Sequence, residues 1–257
     1  MASSNKLFDS ASNPAKRYLV NPEMSTGAIE TIKWLAIIFM FLDHINRAFF
    51  DIDWMYKIGR IAFPLFALMF AYNMARLDSK DHGTHVRAIK RLVLFGAIAQ
   101  LPYLFVTGNL PYTEESPMPP LLPLNVLFLF AIAAGIFYTL DLSLFANKLK
   151  KLGATSLAIL IFILFGSLVE FFYIGLAICI VAFHYFRTPN LIKGSLIFFL
   201  VSLLVLVNEN NYALLALPIF ILVSHLKLSW VSRSKWWVFY GFYPAHLAVL
   251  GGIKLVI

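Results

Sequence analysis

The sequence predicts an all-α fold, a polytopic membrane bundle of about nine transmembrane helices with a cytoplasmic N-terminus, on three observations. Of 257 residues, 60% are hydrophobic and only 13% charged. Soluble domains carry about a quarter charged residues, so this chain cannot clothe a globule in water. Mean hydropathy is +0.79, and apolar runs of membrane-spanning length recur along nearly the whole sequence. The basic residues, finally, alternate by side between those runs.

Residues 1–27, rich in Ser, Asn, Ala and Pro, are expected to form a flexible cytoplasmic tail. They lack an apolar core of signal-peptide type, so the first span is expected to direct insertion itself. The transmembrane domain then runs over 28–257. Its expected spans are 29–50, 58–76, 87–106, 121–140, 153–170, 171–186, 191–207, 212–227 and 235–256. The fifth and sixth form a tight hairpin around Glu170, and the sixth is short for a full crossing. The loop 107–120 carries Pro111, Pro117, Pro119 and Pro120 and is expected to be extended. No internal repeat is evident.

Loop charge tests the count. With the N-terminus inside, sixteen of the 21 Lys and Arg residues fall in cytoplasmic segments. Arg47, Lys57, Arg60 and Lys254 fall outside, and Lys33 lies within a span. This is the asymmetry of the positive-inside rule, and the bacterial inner membrane is the expected location.

The same distribution argues against nucleic acid as a partner, despite a net charge of +8, because the charge follows membrane side rather than one folded face. A single cysteine, Cys179, sits in an apolar run as a small filler, which excludes a disulfide framework and a cysteine-built metal centre. No metal is expected. Neither a G-x-G-x-x-G nor a G-K-[ST] sequence occurs, so no soluble nucleotide-binding domain is present.

Charged groups inside a bilayer are costly and mark function. The first span holds Lys33, Asp43 and His44. Lys33 and His44, eleven residues apart, are separated by three turns plus 20°, so they share a face about 16 Å apart along the axis. Asp43 lies about 100° round the helix from His44 and faces a neighbouring helix. An imidazole is the natural general base near neutral pH, and it is equally a hydrogen-bonding link between helices.

The strings IKWLAIIFMFLDHINR (32–47) and WMYKIGRIAFPLFALMFAYNMAR (54–76) resemble the TraX family of F-type conjugative pilin N-acetyltransferases. The likeness continues in IKRLVLFGAIAQLPY (89–103), LPLNVLFLF (122–130) and FYPAHLAVLGG (242–252). The Lys33–His44 spacing also resembles the basic-X10-His motif of the membrane acyltransferase-3 superfamily, which commonly has Arg at the basic position. The resemblance implies acetyl transfer from cytoplasmic acetyl-coenzyme A to the N-terminal amine of pilin, with His44 as the essential histidine and Lys33 helping to hold the donor.

Arg87 and Arg91, four apart on one face with Lys90 nearby, suit the phosphates of coenzyme A, and equally suit ordinary positive-inside charge. His82 and His85 in the same loop are expected to be solvated. Arg60 either pairs with Asp43 or reaches lipid headgroups, and Pro64 after it is expected to kink the second span. Gln100 and Asn125 line the same cavity or glue helices together. Glu170 attracts the cationic amine or is a solvated turn carboxylate. Tyr243 and His246, either side of Pro244, complete the candidates, with Tyr240 as a packing or hydrogen-bonding anchor. Two other functions fit: an acyltransferase acting on an envelope glycan hydroxyl, and a proton-coupled transporter using the first-span charges. The lipid bilayer is a partner in every case.

Overall fold

The computed structural model describes residues 20, 23–76, 83–108, 122–143, 147–229 and 231–256. Most of the expected N-terminal tail, Lys80, His82 and all but the first residues of the 107–120 loop lie outside them. Among the described residues the architecture is helical, with one isolated bridge, Leu124 to Val169, as its extended pairing.

Helix α1, Thr26–Ile45, begins inside the expected tail, because Ser25 caps it by accepting the Ala28 N–H at 3.2 Å. It passes into one π turn, Asn46–Phe50. The turn ends at Asp51 in the left-handed region, and the Asn46 side chain accepts the Ile52 N–H at 2.6 Å. Single π turns inside helices commonly sit at functional sites. Helices α2, Asp53–Gly59, and α3, Ala62–Ala75, are one span broken at Arg60–Ile61. Pro64 therefore lies in the first turn of α3, where its ring is tolerated, and the bend falls before it rather than on it. Having no N–H, it leaves the Arg60 carbonyl without its helical donor.

Helix α4, Thr84–Thr107, accommodates Pro102. After it come α5, Val126–Ser143, and the hairpin of α6, Lys148–Phe165, and α7, Phe172–Arg187. The hairpin turn is clipped to the entry of α5: the Leu124 N–H donates to Leu168 at 2.8 Å and the Glu170 N–H to Leu124 at 2.9 Å. Helices α8, Leu191–Ser202, and α9, Val205–Asn208, follow. A 3₁₀ turn, Tyr212–Leu215, then leads into α10, Ala216–Ser224, and α11, Trp236–Val256, ends the chain.

Each of the nine expected spans overlaps helical structure among the described residues, the fourth only from Val126 onward. Among the described residues, three stretches are long and apolar enough to cross a membrane: Asp53–Ala75, Thr84–Thr107 and Leu191–Asn208. Val126–Leu142, Phe172–Arg187 and Tyr212–Ser224 are apolar but shorter. Large apolar side chains face outward, most plainly on α6, where Leu149, Leu157, Ile159, Leu160 and Ile163 are exposed. Water would penalise such a surface and hydrocarbon would not; these are the helices of a membrane protein.

Packing places the site. Helix α1 lies against α3, α3 against α7, and α4 against both α5 and α11. The interior between them is aromatic, with Phe63 stacked on Phe171 at 3.9 Å and Phe137 on Phe183 at 4.1 Å.

Candidate functional site

At the end of α1, a small cavity of about 40 Å³ is lined by Asp43, His44, Arg60, Glu170 and Tyr243 among others. The sequence had these five on four separate segments.

The helical path carries His44 onto α11. Its Nδ1 lies 2.7 Å from His246 Nε2, and His246 Nδ1 lies 2.7 Å from the Phe242 carbonyl. A carbonyl only accepts, so His246 carries its proton on Nδ1 when neutral and its Nε2 is the acceptor. His44 Nδ1 then donates to it. The consequence is chemical: the lone pair of neutral His44 is on Nε2.

Asp43, a residue earlier, turns to the second span. It pairs with Arg60, and its other oxygen lies 3.2 Å from Arg47 Nε. One carboxylate thus meets two guanidiniums. The Arg60 plane also lies 4.5 Å from the Tyr56 ring, so a planar cation is held on two sides. Gly59 makes this approach possible: a Cβ there would come within 2.5 Å of Asp43 Cβ.

Glu170 resolves in favour of the cavity. Its backbone is clipped to Leu124, and it lines the cavity together with Arg60 and Val126, the first residue of α5. Tyr243 lines the same cavity, its ring 6.1 Å from that of His44. Helix N-terminal N–H groups carry partial positive charge, so this corner favours negative oxygen.

Gln100 and Asn125 do not line the cavity. Asn125, wholly buried, donates to Gly96 O at 2.8 Å and to Gln100 Oε1 at 2.8 Å, and caps α5 through the Leu127 N–H at 3.0 Å. Gln100 Nε2 donates to Pro123 O at 3.0 Å. These amides are consumed in fastening α4 to α5, the packing reading of the pair.

A second cavity of about 280 Å³ opens at the other end of α1 and is lined by Lys33, Arg91, Arg233, Ser234 and aromatic side chains of α11. Arg91 lies 3.9 Å from the Trp236 ring and Lys33 4.9 Å from that of Phe239. Arg87 is not in this group; its guanidinium bonds Thr84 at 3.2 Å on the exposed side. The pair expected from four-residue spacing is divided, because Arg91 is drawn onto Trp236. Tyr240, an anchor by expectation, also lines this cavity, 5.8 Å from Phe95. His85 is a further correction: instead of being solvated it is buried, 3.5 Å from Asp141, which Arg187 also pairs.

Sequence reasoning missed three groups. Glu30 is buried within α1, bonds Lys33 Nζ at 2.8 Å and accepts the Ser234 N–H at 3.2 Å. Its position three residues before Lys33 was a usable signal. Arg233 and Asn73 carried none, since only the packing of α3 and α11 brings them to Lys33. Among the described residues no cluster of His, Cys, Asp or Glu is arranged to hold a metal ion.

The family model described as TraX protein matches residues 28–254. Protein TraX of Escherichia coli is 32% identical over 244 residues, covering 90% of this chain and 89% of that relative. Protein TraX of Escherichia coli strain K12 is 30% identical over 244 residues with the same coverage. No solved structure matches. With the match spanning both cavities and all the helices around them, the chain belongs to the TraX family.

Proposed function

We propose that this chain is a membrane-embedded acetyltransferase that moves an acetyl group from cytoplasmic acetyl-coenzyme A to the N-terminal amine of pilin. It acts as a multi-pass protein of the bacterial inner membrane, with nine spans and its N-terminus inside. The charge partition supports the topology. The observation that carries the chemistry is the His246–His44 chain, which leaves an unprotonated Nε2 beside an arginine and a helix N-terminus.

The donor's phosphates meet Lys33, Arg91 and Arg233, and its arm runs along α1 toward His44, about 16 Å away. An α-amine titrates near 7.7–8.0, so a fraction is already unprotonated at neutral pH. Its nitrogen attacks the thioester carbonyl while His44 Nε2 takes the departing proton. Arg60 and the Val126 N–H oppose the oxyanion that forms. The C–S bond breaks, and the thiolate receives the proton from His44. Asp43 acts through Arg60, holding it in place, and Glu170 attracts the incoming ammonium.

Mass spectrometry of pilin from cells with and without this protein tests the reading. An added acetyl group confined to the pilin N-terminus and dependent on His44 is the expected result. Unmodified pilin in both strains overturns the acceptor assignment.

A further inference from the structure

The two cavities share one lining residue, Phe66. Its neighbours along α3 divide cleanly. Ala62 and Phe63 line the histidine cavity, while Met69, Phe70 and Asn73 line the basic one, all at three- and four-residue spacing on one helical face. The other helices repeat this division. On α1, Lys33 lines the basic cavity and Met40 and His44 the other. On α11, Trp236, Phe239 and Tyr240 give way to Tyr243, and on α5 Phe130 and Leu127 give way to Val126. Four helices thus contribute lining to both spaces, and Phe66 is the lining residue the two spaces share.

The volumes say that this ring has to move. A water needs roughly 10–15 Å³ of such space, so a histidine cavity of about 40 Å³ holds a few waters and no thioester. The adjoining cavity is about 280 Å³. Phe66 is also the ring best placed to move. Phe63, one turn before it, is stacked on Phe171, and Phe70, one turn after, lies 5.0 Å from Phe130. Among the described residues Phe66 takes part in none of the ring pairs, and it is only partly buried.

We infer that Phe66 is a gate between a basic, aromatic chamber and the histidine chamber. It closes the passage at rest and swings aside for the arm of a phosphate-bearing thioester. The identity of that ligand, and with it the need for the ring to move, rests on the acetyltransferase reading; the place of Phe66 between the two cavities does not. In its closed position Phe66 keeps His44 from activating water against the donor, a reaction that would break the same C–S bond and release acetate and free thiol with no acceptor.

The test is thiol labelling of full-length protein in detergent, carrying Met40→Cys in a Cys179→Ser background. Maleimide should label Met40→Cys slowly with Phe66 present. Labelling should be at least about tenfold faster with Phe66→Ala or Phe66→Leu, since modification of a transiently opened site tracks its open population. Phe66→Trp should slow it further. Phe66→Leu guards against a folding defect in the Ala protein, and a melt accompanies each. Equal rates across well-folded variants overturn the gate, as does labelling with Phe66 present as fast as that of an exposed Leu149→Cys. Adding acetyl-coenzyme A to the protein with Phe66 should slow labelling. Dependence on Phe66 without any response to acetyl-coenzyme A keeps the gate and overturns the donor.

Discussion

His44 and His246, separated by 202 positions in the chain, meet ring nitrogen to ring nitrogen at 2.7 Å. The Phe242 carbonyl behind His246 settles which of the four nitrogens is left as a base. His44→Ala should therefore lower turnover by roughly 10²–10⁴, the range for a positioned general base, with donor binding retained. His246→Ala should cost less, because His44 keeps its ring and loses only the acceptor that selects its tautomer. Turnover and donor affinity measured on the two proteins check this, and near-normal turnover of correctly inserted His44→Ala would remove the catalytic assignment.

Arg91 and Arg87 give a second contrast. Arg91→Gln and Arg233→Gln should raise the apparent KM for acetyl-coenzyme A, each by the loss of a charge-assisted contact worth roughly 1.5–3 kcal/mol. Arg87→Gln should leave it unchanged, since Arg87 faces away from the cavity. Saturation curves for the three variants decide the matter, and equal effects would reduce the cluster to topology charge.

Glu30 binds both Lys33 and the Ser234 backbone. Glu30→Gln keeps one acceptor but loses the charge, so the segment before α11 should loosen. Limited proteolysis within 226–235 should be faster than in the unmutated protein. Lys33→Gln should weaken the donor more than the chemical step, and Lys33→Arg should restore it.

Gly59→Ala forces a methyl against Asp43, with Oδ1 only 2.8 Å from the new Cβ. Overpacking of this kind costs roughly 1–3 kcal/mol. A lower melting temperature in detergent, with reduced turnover because Arg60 is displaced, is the expected outcome. An unchanged melt would mean that the two helices separate easily at this point.

Topology has its own check. Reporter fusions at Lys150 and Ser234 should report cytoplasm and one at Asn210 the outer face; an outer-face signal at Lys150 would invert the assignment of the basic cavity to the donor side.

Composition and charge alone determined the helical, membrane-bound character of this protein, because a bilayer demands long apolar helices and sorts Lys and Arg by side. The helix with Lys33 and His44 on one face, and the likeness to the TraX family, were equally legible, since both depend on local spacing. Asp43 facing a neighbouring helix followed from the 100° step.

Only tertiary structure decided which helix answers which. His246 becomes the partner of His44 because α11 packs beside α1, and Glu170 enters the site because a backbone clip ties its turn to Leu124. Asn125, Gln100 and Arg87 left the site for the same kind of reason: each found a nearer partner, in α4, α5 or Thr84. A sequence records which polar groups exist inside the membrane. Low dielectric favours pairing them, and helix packing determines which partner each one meets.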